Sequence, residues 1–416
     1  MKKNLVLLTL ACLTLLFNTL QAQNFTEFKG KIVSESSGKS LPLADIVIKN
    51  TNISTVSNSD GEFALKVPNT DLDKSIIVTY LGYKKTEILL SKLKKQNAKI
   101  KLPEAATVLA QVDVNAPADA KSLVKKALKL KGENYHNSKT IMTAFYRETI
   151  RKRNKNASLS EAVLKIYKQP YVSNKKDAIT LVKSRKNTNY SRLDTIALKL
   201  QGGPFSALYT DVMKYPRFIF TENNLSSYEF SFKQSTQVNN KLVYVVDFKQ
   251  KLGIKEPMYY GQLYIDADTY AVTNAVYNLN VSNRDLASEL FVRKKPVNAK
   301  VFPTEAAYRV NYRVKNGKWY YGYSNILLSF KVKWSNRLFN SRYTLQSEMA
   351  ITDWEPTNTE FVNRPKNRLK YNIILTDETS GFADPKFWGE YNIIEPEKSI
   401  ESAIKKISKK LKKTKA

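Results

Sequence analysis

One cysteine and one histidine are all that 416 residues contain of the two most versatile catalytic and metal-binding side chains. His136 stands in the polar stretch Asn134-Tyr135-His136-Asn137, and Cys12 lies inside an apolar N-terminal run. Zinc sites built on nitrogen and sulfur, and Ser-His or Cys-His nucleophile systems, therefore lack their parts. A disulfide framework is excluded as well. Glycine is scarce, with 13 residues, and Gly202-Gly203 is not followed by the Lys-Ser/Thr of a phosphate-cradling loop. No cofactor is expected. Acid is scarce too: 37 Asp and Glu face 68 Lys and Arg, for a net charge of +31. Beyond the N-terminal run, no stretch approaches the ~20 apolar residues that a spanning helix needs.

The apolar run is informative. Met1-Lys2-Lys3 precedes Leu5 to Phe17, which is apolar apart from Thr9, Cys12 and Thr14, and Ala22 then offers a small residue before a cut. That order describes a secretory signal over residues 1–22, with Gln23 as the first mature residue. Lipoprotein processing at Cys12 is the competing reading, and the large Leu10 fits it poorly. The expected location is the periplasm or the periplasmic face of the outer membrane. For an exported protein this basic, the expected partner is an anionic membrane surface or lipopolysaccharide, with an outer-membrane protein complex as a further candidate, and no nucleic acid.

From Thr26 to about Leu102 short strands alternate with turn signals. Phe28 to Val33, Ala44 to Ile48, Glu62 to Val67 and Ser75 to Tyr80 read as strands, and Asn58-Ser59-Asp60-Gly61 as a tight turn. Gly30-Lys31-Ile32-Val33, Leu41 to Ile48, Ser57 to Phe63 and Val78 to Tyr83 follow in order one recurrent pattern. Residues 27–103 thereby resemble the carboxypeptidase regulatory-like domain of exported Bacteroidetes proteins. The resemblance implies a transthyretin-like sandwich that serves as a binding or docking accessory and is not the peptidase. Phe63, Val67 and Val78 would face its core, and Asp45 asks for an exposed position.

A linker over 104–118 leads to an amphipathic helix, with Asp119 as N-cap, Gly132 as stop and apolar residues at 123, 124, 127, 128 and 130. Long alternating strands follow at 140–151, 159–167, 241–249, 259–265, 271–281, 306–314, 319–334 and 342–354. Asp266 to Tyr270 is a hairpin corner, and the chain is expected to leave the sheet after Met349. One polar and one apolar face suit an antiparallel sheet covered on one side. The helix-then-strand order and the Tyr260–Tyr277 hairpin resemble the half-barrel of the LolA/LolB-like lipoprotein carriers, which implies a sheet that cradles acyl chains. Residues 198–209 match nothing in that pattern. The chain is thus expected to be mainly β. The sandwich (24–103) is followed by an antiparallel sheet or half-barrel with one packing helix (119–383), then by a C-terminal segment (384–416) ending in a basic amphipathic helix.

In that last segment Ile400, Ala403, Ile404, Ile407 and Leu411 fall on one helical face, and Lys405, Lys406, Lys409 and Lys410 are among the seven lysines around it. Such a profile is that of an interfacial helix, so Ile400, Ile404, Ile407, Leu411 and those four lysines are the expected membrane contact. Other chemistry is thin. Glu148, Glu161, Glu256 and Glu305 would have to pair to serve glycoside hydrolysis, and Asp266 with Asp268 reads as a turn before it reads as a cation site. Asp194-Thr195-Ile196 resembles a short O-glycosylation triplet. The rings of Trp319 to Tyr323 and Pro257 to Tyr260 are placed by alternation partly outward, where they would stack on sugar or sit at lipid headgroups. The expected function is a non-catalytic envelope binding or assembly factor for lipid, lipoprotein or another envelope component; a glycan-binding accessory of a polysaccharide uptake system is the alternative. Edman sequencing of the protein from the envelope fraction is expected to start at Gln23, and a lipid-modified Cys12 at the mature N-terminus would refute this processing.

Overall fold

The computed structural model describes residues 24–105, 119–153, 155–188, 201–216, 219–220, 224–293, 295–357, 365–378 and 385–397. Residues 1–22, read above as a signal, the triplet at 194–196 and the basic tail carrying Ile400 to Lys410 lie outside the described residues.

Seven strands make the N-terminal sandwich: β1 (Phe25–Ser34), β2 (Asp45–Ile48), β3 (Ser54–Val56), β4 (Glu62–Pro68), β5 (Ser75–Thr79), β6 (Thr86–Leu89) and β7 (Ala98–Leu102). They form two sheets, β4-β1-β7 and β3-β2-β5-β6. Alternation drives Phe28, Ile32, Ile46, Phe63, Val67, Val78 and Ile100 into one core between them. The hairpin before β4 turns as its sequence requires. Asn58 Oδ1 accepts from the amides of Asp60 and Glu62, each at 2.9 Å, and Gly61 sits at φ 76°. A Cβ there would lie 2.9 Å from the Ile32 carbonyl oxygen, so only glycine fits.

Helix α1 (Ala120–Lys129) follows, and Asp119 caps it by accepting from the Ser122 amide at 2.8 Å. Its buried stripe is Leu123, Val124 and Ala127. The leucine and the valine each contribute about 1.5–3 kcal/mol on burial. Gly132 does not stop the helix; one further turn, α2 (Lys131–Asn134), carries the chain past it.

Ten strands then build one antiparallel sheet. They are β8 (Thr140–Lys152), β9 (Lys155–Lys168), β10 (Ala178–Thr188), β11 (Tyr228–Val238), β12 (Lys241–Gln250), β13 (Tyr259–Asp266), β14 (Val272–Leu279), β15 (Ala299–Lys315), β16 (Lys318–Trp334) and β17 (Ser341–Pro356). The order is β10-β9-β8-β17-β16-β15-β14-β13-β12-β11. Every strand neighbours its sequence neighbour except at one place, and the first strand pairs with the last. This is the order of an up-and-down barrel opened between β10 and β11. β17 runs to Pro356 in register with β8, so the chain leaves the sheet after that residue and not at Met349. Part of each open edge is covered, which limits pairing with other chains there. The Leu369 amide donates to the Ile179 carbonyl on β10, and on β11 the Gln237 carbonyl accepts from the sandwich residue Gly82 at 3.0 Å.

The inner face of the sheet packs on α1 and on the described residues 201–216, 219–220 and 224–225, which begin within the 198–209 segment that matched nothing. Gly202 and Gly203, both at positive φ, turn the chain into α3 (Pro204–Leu208), which delivers Phe205, Leu208, Met213 and Phe220 into the core. A buried lysine pins this plug. Lys168 Nζ lies 3.0 Å from Asp177 and 2.7 Å from Asp211, with the rings of Tyr171, Tyr215 and Tyr321 around it. Burial alone would lower its pKa, and the two carboxylates outweigh burial and raise it.

The outer face is not the solvated polar face that alternation suggests. Strand β3 and residues 385–397 cover it over β8, β9, β16 and β17, so that Val56, Phe145, Val163, Tyr323, Trp388 and Ile394 share a core. Asp45 is buried in this junction, contrary to the exposure expected for it. Arg313 donates to Asp45 Oδ1 through Nε (3.0 Å) and NH2 (2.8 Å), and through NH1 to Ser54 Oγ and the Ile351 carbonyl. Removing one member of a buried pair leaves an uncompensated charge, at a cost of about 3–5 kcal/mol. Asp45→Ala is therefore expected to lower the urea midpoint of the full chain strongly, and Asp45→Leu with Arg313→Leu to recover most of the loss. An unchanged midpoint in Asp45→Ala would show that the pair does not hold the two modules together.

Candidate functional site

Side chains at alternate positions of β8 point to the inner face: Met142, Ala144, Tyr146, Glu148 and Ile150. Four of the five are apolar or aromatic, and Glu148 interrupts them. Toward the sandwich end its neighbours belong to the core filled by α1 and the plug. Toward the far end they belong to an apolar floor of Ile150, Val301, Leu328, Phe330, Val332 and Leu345. Helix α4 (Arg284–Phe291) lies on that floor beside β15, with the Phe291 ring 5.9 Å from Phe330. Asn283 caps the helix, and Ala287 is its one fully buried residue.

Glu148 is buried at the junction of these two apolar regions. Ser160 of β9 and Ser347 of β17 are its cross-strand partners on either side. Tyr146 donates its hydroxyl to Glu148 Oε2 at 3.0 Å. Ser160 Oγ is buried with no hydrogen-bond partner among the described residues. Burial pushes the carboxyl up to about 7; the Tyr146 hydroxyl pulls the other way, and Asp377, in α5 (Leu375–Glu378), adds to the rise. Near neutral pH the group thus exchanges a proton readily, and it accepts or donates a hydrogen bond accordingly. A carboxyl flanked by two serines in an apolar face is a polar anchor with apolar surface on both sides.

The other sequence-predicted groups do not assemble around it. Glu161, the cross-strand partner of Arg147, is a diagonal neighbour of Glu148 in the sheet, but on the outer face. Burial would raise it, yet Arg147 and Arg185, each 2.7 Å away, hold it below the usual carboxylate range. Glu348 completes this cluster, 3.1 Å from Arg147, and Arg147 also donates to the Ile394 carbonyl. Glu305 accepts from Ser329, and Glu256 is exposed in the β12–β13 turn. No pair of these carboxylates frames a common space. His136 is half-buried and edge-on to Trp354, at 5.0 Å, and burial lowers its pKa. Asp266 spends Oδ1 on the amides of Asp268 and Thr269, and Asp268 pairs with Lys241. Trp319, Tyr320, Tyr321 and Tyr323 are all buried, so none of these rings faces outward; Tyr260 does.

Sequence reasoning missed the role of Glu148. One signal was available: in Tyr146 to Ile150 the acid stands in the apolar phase of the alternation, while Arg147 stands in the other.

The Glu148 carboxyl has its ordinary value of 4.5 when unfolded and about 7 when folded. Between these values the folded state keeps a proton that the unfolded state has lost, so stability falls as pH rises through the window and levels off above it. The full loss is about 3 kcal/mol. Glu148→Gln lacks this loss, and its unfolding free energy relative to the intact protein is expected to grow across the window in chemical denaturation. A difference that stays flat with pH would refute the assignment.

Three comparisons bear on this architecture. No curated protein matches the chain. Among solved structures it is similar to a DUF1329 family protein from Desulfovibrio piger, at 10% identity over 59% of this chain and 98% of that one, with a TM-score of 0.24. It is also similar to lipovitellin from a study of lipid–protein interactions, at 6% identity over 58% of this chain and 28% of that one, with a TM-score of 0.26. Scores this low fix neither the fold of the sheet nor its ligand. Residues 28–114, by contrast, match the family model of the CarboxypepD_reg-like domain.

Proposed function

We propose that this chain is an exported, non-catalytic factor of the cell envelope that binds a lipid or a lipid-modified component on the inner face of its large sheet. One observation carries the reading: an apolar floor that runs up to a buried Glu148 between two serines. An amphiphile matches that layout, its chain along Leu328, Phe330 and Leu345 and its polar end at Glu148. Occupancy requires α4 to lift from the floor, a modest change for a helix with one fully buried residue. The CarboxypepD_reg-like module acts as a docking accessory, locked to the outer face through Asp45 and Arg313.

The glycan-binding alternative drew on outward rings in Trp319 to Tyr323 and Pro257 to Tyr260; those of the first cluster are buried, and Tyr260 is exposed. Export rests on the signal pattern of residues 1–22. The basic tail, with seven lysines against one acid over 401–416, adds an attraction to anionic membrane that is expected to weaken as salt shortens the Debye length below ~10 Å.

Native mass measurement of the protein taken from its own envelope fraction tests the central claim. Co-purified lipid is expected, together with its loss in Leu328→Trp, which fills the floor without adding charge. Protein that is lipid-free from its own envelope, under conditions that keep it folded, would overturn the reading.

A further inference from the structure

The two ends of the large sheet differ. At the sandwich end the turns are covered by α1, α2 and the N-terminal module. At the far end, among the described residues, four connections stand free of these elements: the β8–β9, β12–β13 and β16–β17 turns, and the β14–β15 connection that carries α4. They touch one another in sequence around the rim. The Arg153 amide donates to the Arg342 carbonyl (2.9 Å), the Ser335 amide to the Asn298 carbonyl (3.0 Å), and the Asn280 amide to the Met258 carbonyl (2.8 Å). The rim is therefore one connected surface.

Its composition is unusual in two ways. Large apolar side chains stand at its tips: Leu252 is 95% exposed, Val297 105%, Leu338 97% and Phe339 79%, with Leu290 of α4 exposed beside them. Around them the stretches 152–155, 251–258, 282–300 and 331–342 hold fourteen Lys and Arg against three Asp and Glu. These 43 residues thus carry +11 of the chain's +31. Arg337 lies 4.9 Å from the Trp334 ring, and Arg284 lies 5.0 Å from that of Phe302, which fixes two guanidinium groups at the rim.

We propose that this rim docks on the surface of an anionic phospholipid bilayer, with Leu252, Val297, Leu338 and Phe339 entering the headgroup region and the cations meeting the phosphates. Isolated apolar tips on turns, separated by cations, suit a soft two-phase interface better than a shaped protein partner. Nine of the fourteen cations are Lys, a residue depleted at protein–protein interfaces. A second copy would oppose +11 to +11. Glu397, the last described residue, pairs with Arg151 at 3.3 Å beside the β8–β9 turn. The proposal rests on the envelope location of the preceding reading, but not on a ligand in the sheet.

Co-sedimentation of the full mature chain with vesicles of phosphatidylcholine alone, or with added phosphatidylglycerol, tests it. Binding is expected to the mixed vesicles only. Leu338→Asp with Phe339→Asp is expected to weaken it by about 30-fold or more, both in the full chain and after deletion of 399–416, with an unchanged melting temperature because both sites are exposed. Equal binding by the rim variant in the tail-deleted background overturns the proposal. So does a dimer that the rim variant dissociates, which would assign the surface to a second copy. Lost docking with co-purified lipid retained sinks this proposal alone; docking retained without co-purified lipid sinks only the ligand reading.

Discussion

The pairing of β8 with β17 sets the frame for everything else. It joins the first strand of the sheet to the last across about two hundred residues of chain, in an antiparallel register from Tyr343↔Lys152 to Pro356↔Thr140 that is broken by one bulge. Once it forms, the up-and-down order is complete apart from the β10/β11 seam. The seam then has to be dealt with by other means, because two unpaired edges invite association with other chains. The structure covers β10 with residues 368–369 and β11 with α1 and the sandwich. The glycine-led plug fills the space inside.

Three buried cations tie distant pieces onto that frame. Lys168 joins β9 to the plug through Asp211, Arg147 joins β8 to β9, β17 and the C-terminal segment, and Arg313 joins β15 to the sandwich. Each is paired and hydrogen-bonded, which offsets part of its desolvation. Buried pairs add modest net stability, but they penalise misplacement heavily, since any displaced element strands a charge in an apolar setting. In a chain of +31, these three interior cations are each given a carboxylate, whereas the buried Lys214 donates to the Pro170 and Ser173 carbonyls.

Much of this was legible from alternation. β1, β2, β4, β5 and eight of the ten long strands follow period-two patterns, and Asp119 announces its helix. The two long strands that escaped, β10 and β11, are the sheet's edges, where Lys183, Lys186 and Lys233 interrupt the pattern. β3 and β6 are too short to show a period. β7, by contrast, alternates as Ala98-Lys99-Ile100-Lys101-Leu102 and was readable. What alternation cannot tell is which polar residues face solvent. Asp45, Arg147, Glu161 and Arg313 occupy the polar phase of their strands, and the sandwich together with residues 385–397 buries them. Glu148 is the converse case, an acid in the apolar phase, visible as an anomaly in sequence and interpretable only once both sides of the sheet are known.

The asymmetry between the two ends follows from the same economy of covering. The sandwich, α1 and α2 gather where β8 begins and β17 ends, and Lys315 donates to Asn52 Oδ1 there. Among the described residues nothing comparable reaches the far turns, whose tips Leu252, Val297, Leu338 and Phe339 are exposed. A turn exposed only to water has no reason to carry Leu338 and Phe339 side by side at its tip, since their apolar surface gains nothing from staying wet. The polar anchor at Glu148 lies between the covered end and the open one. An amphiphile entering along the apolar floor would therefore come from the side where α4 is the described cover, which is also the side whose rim carries the excess of cations.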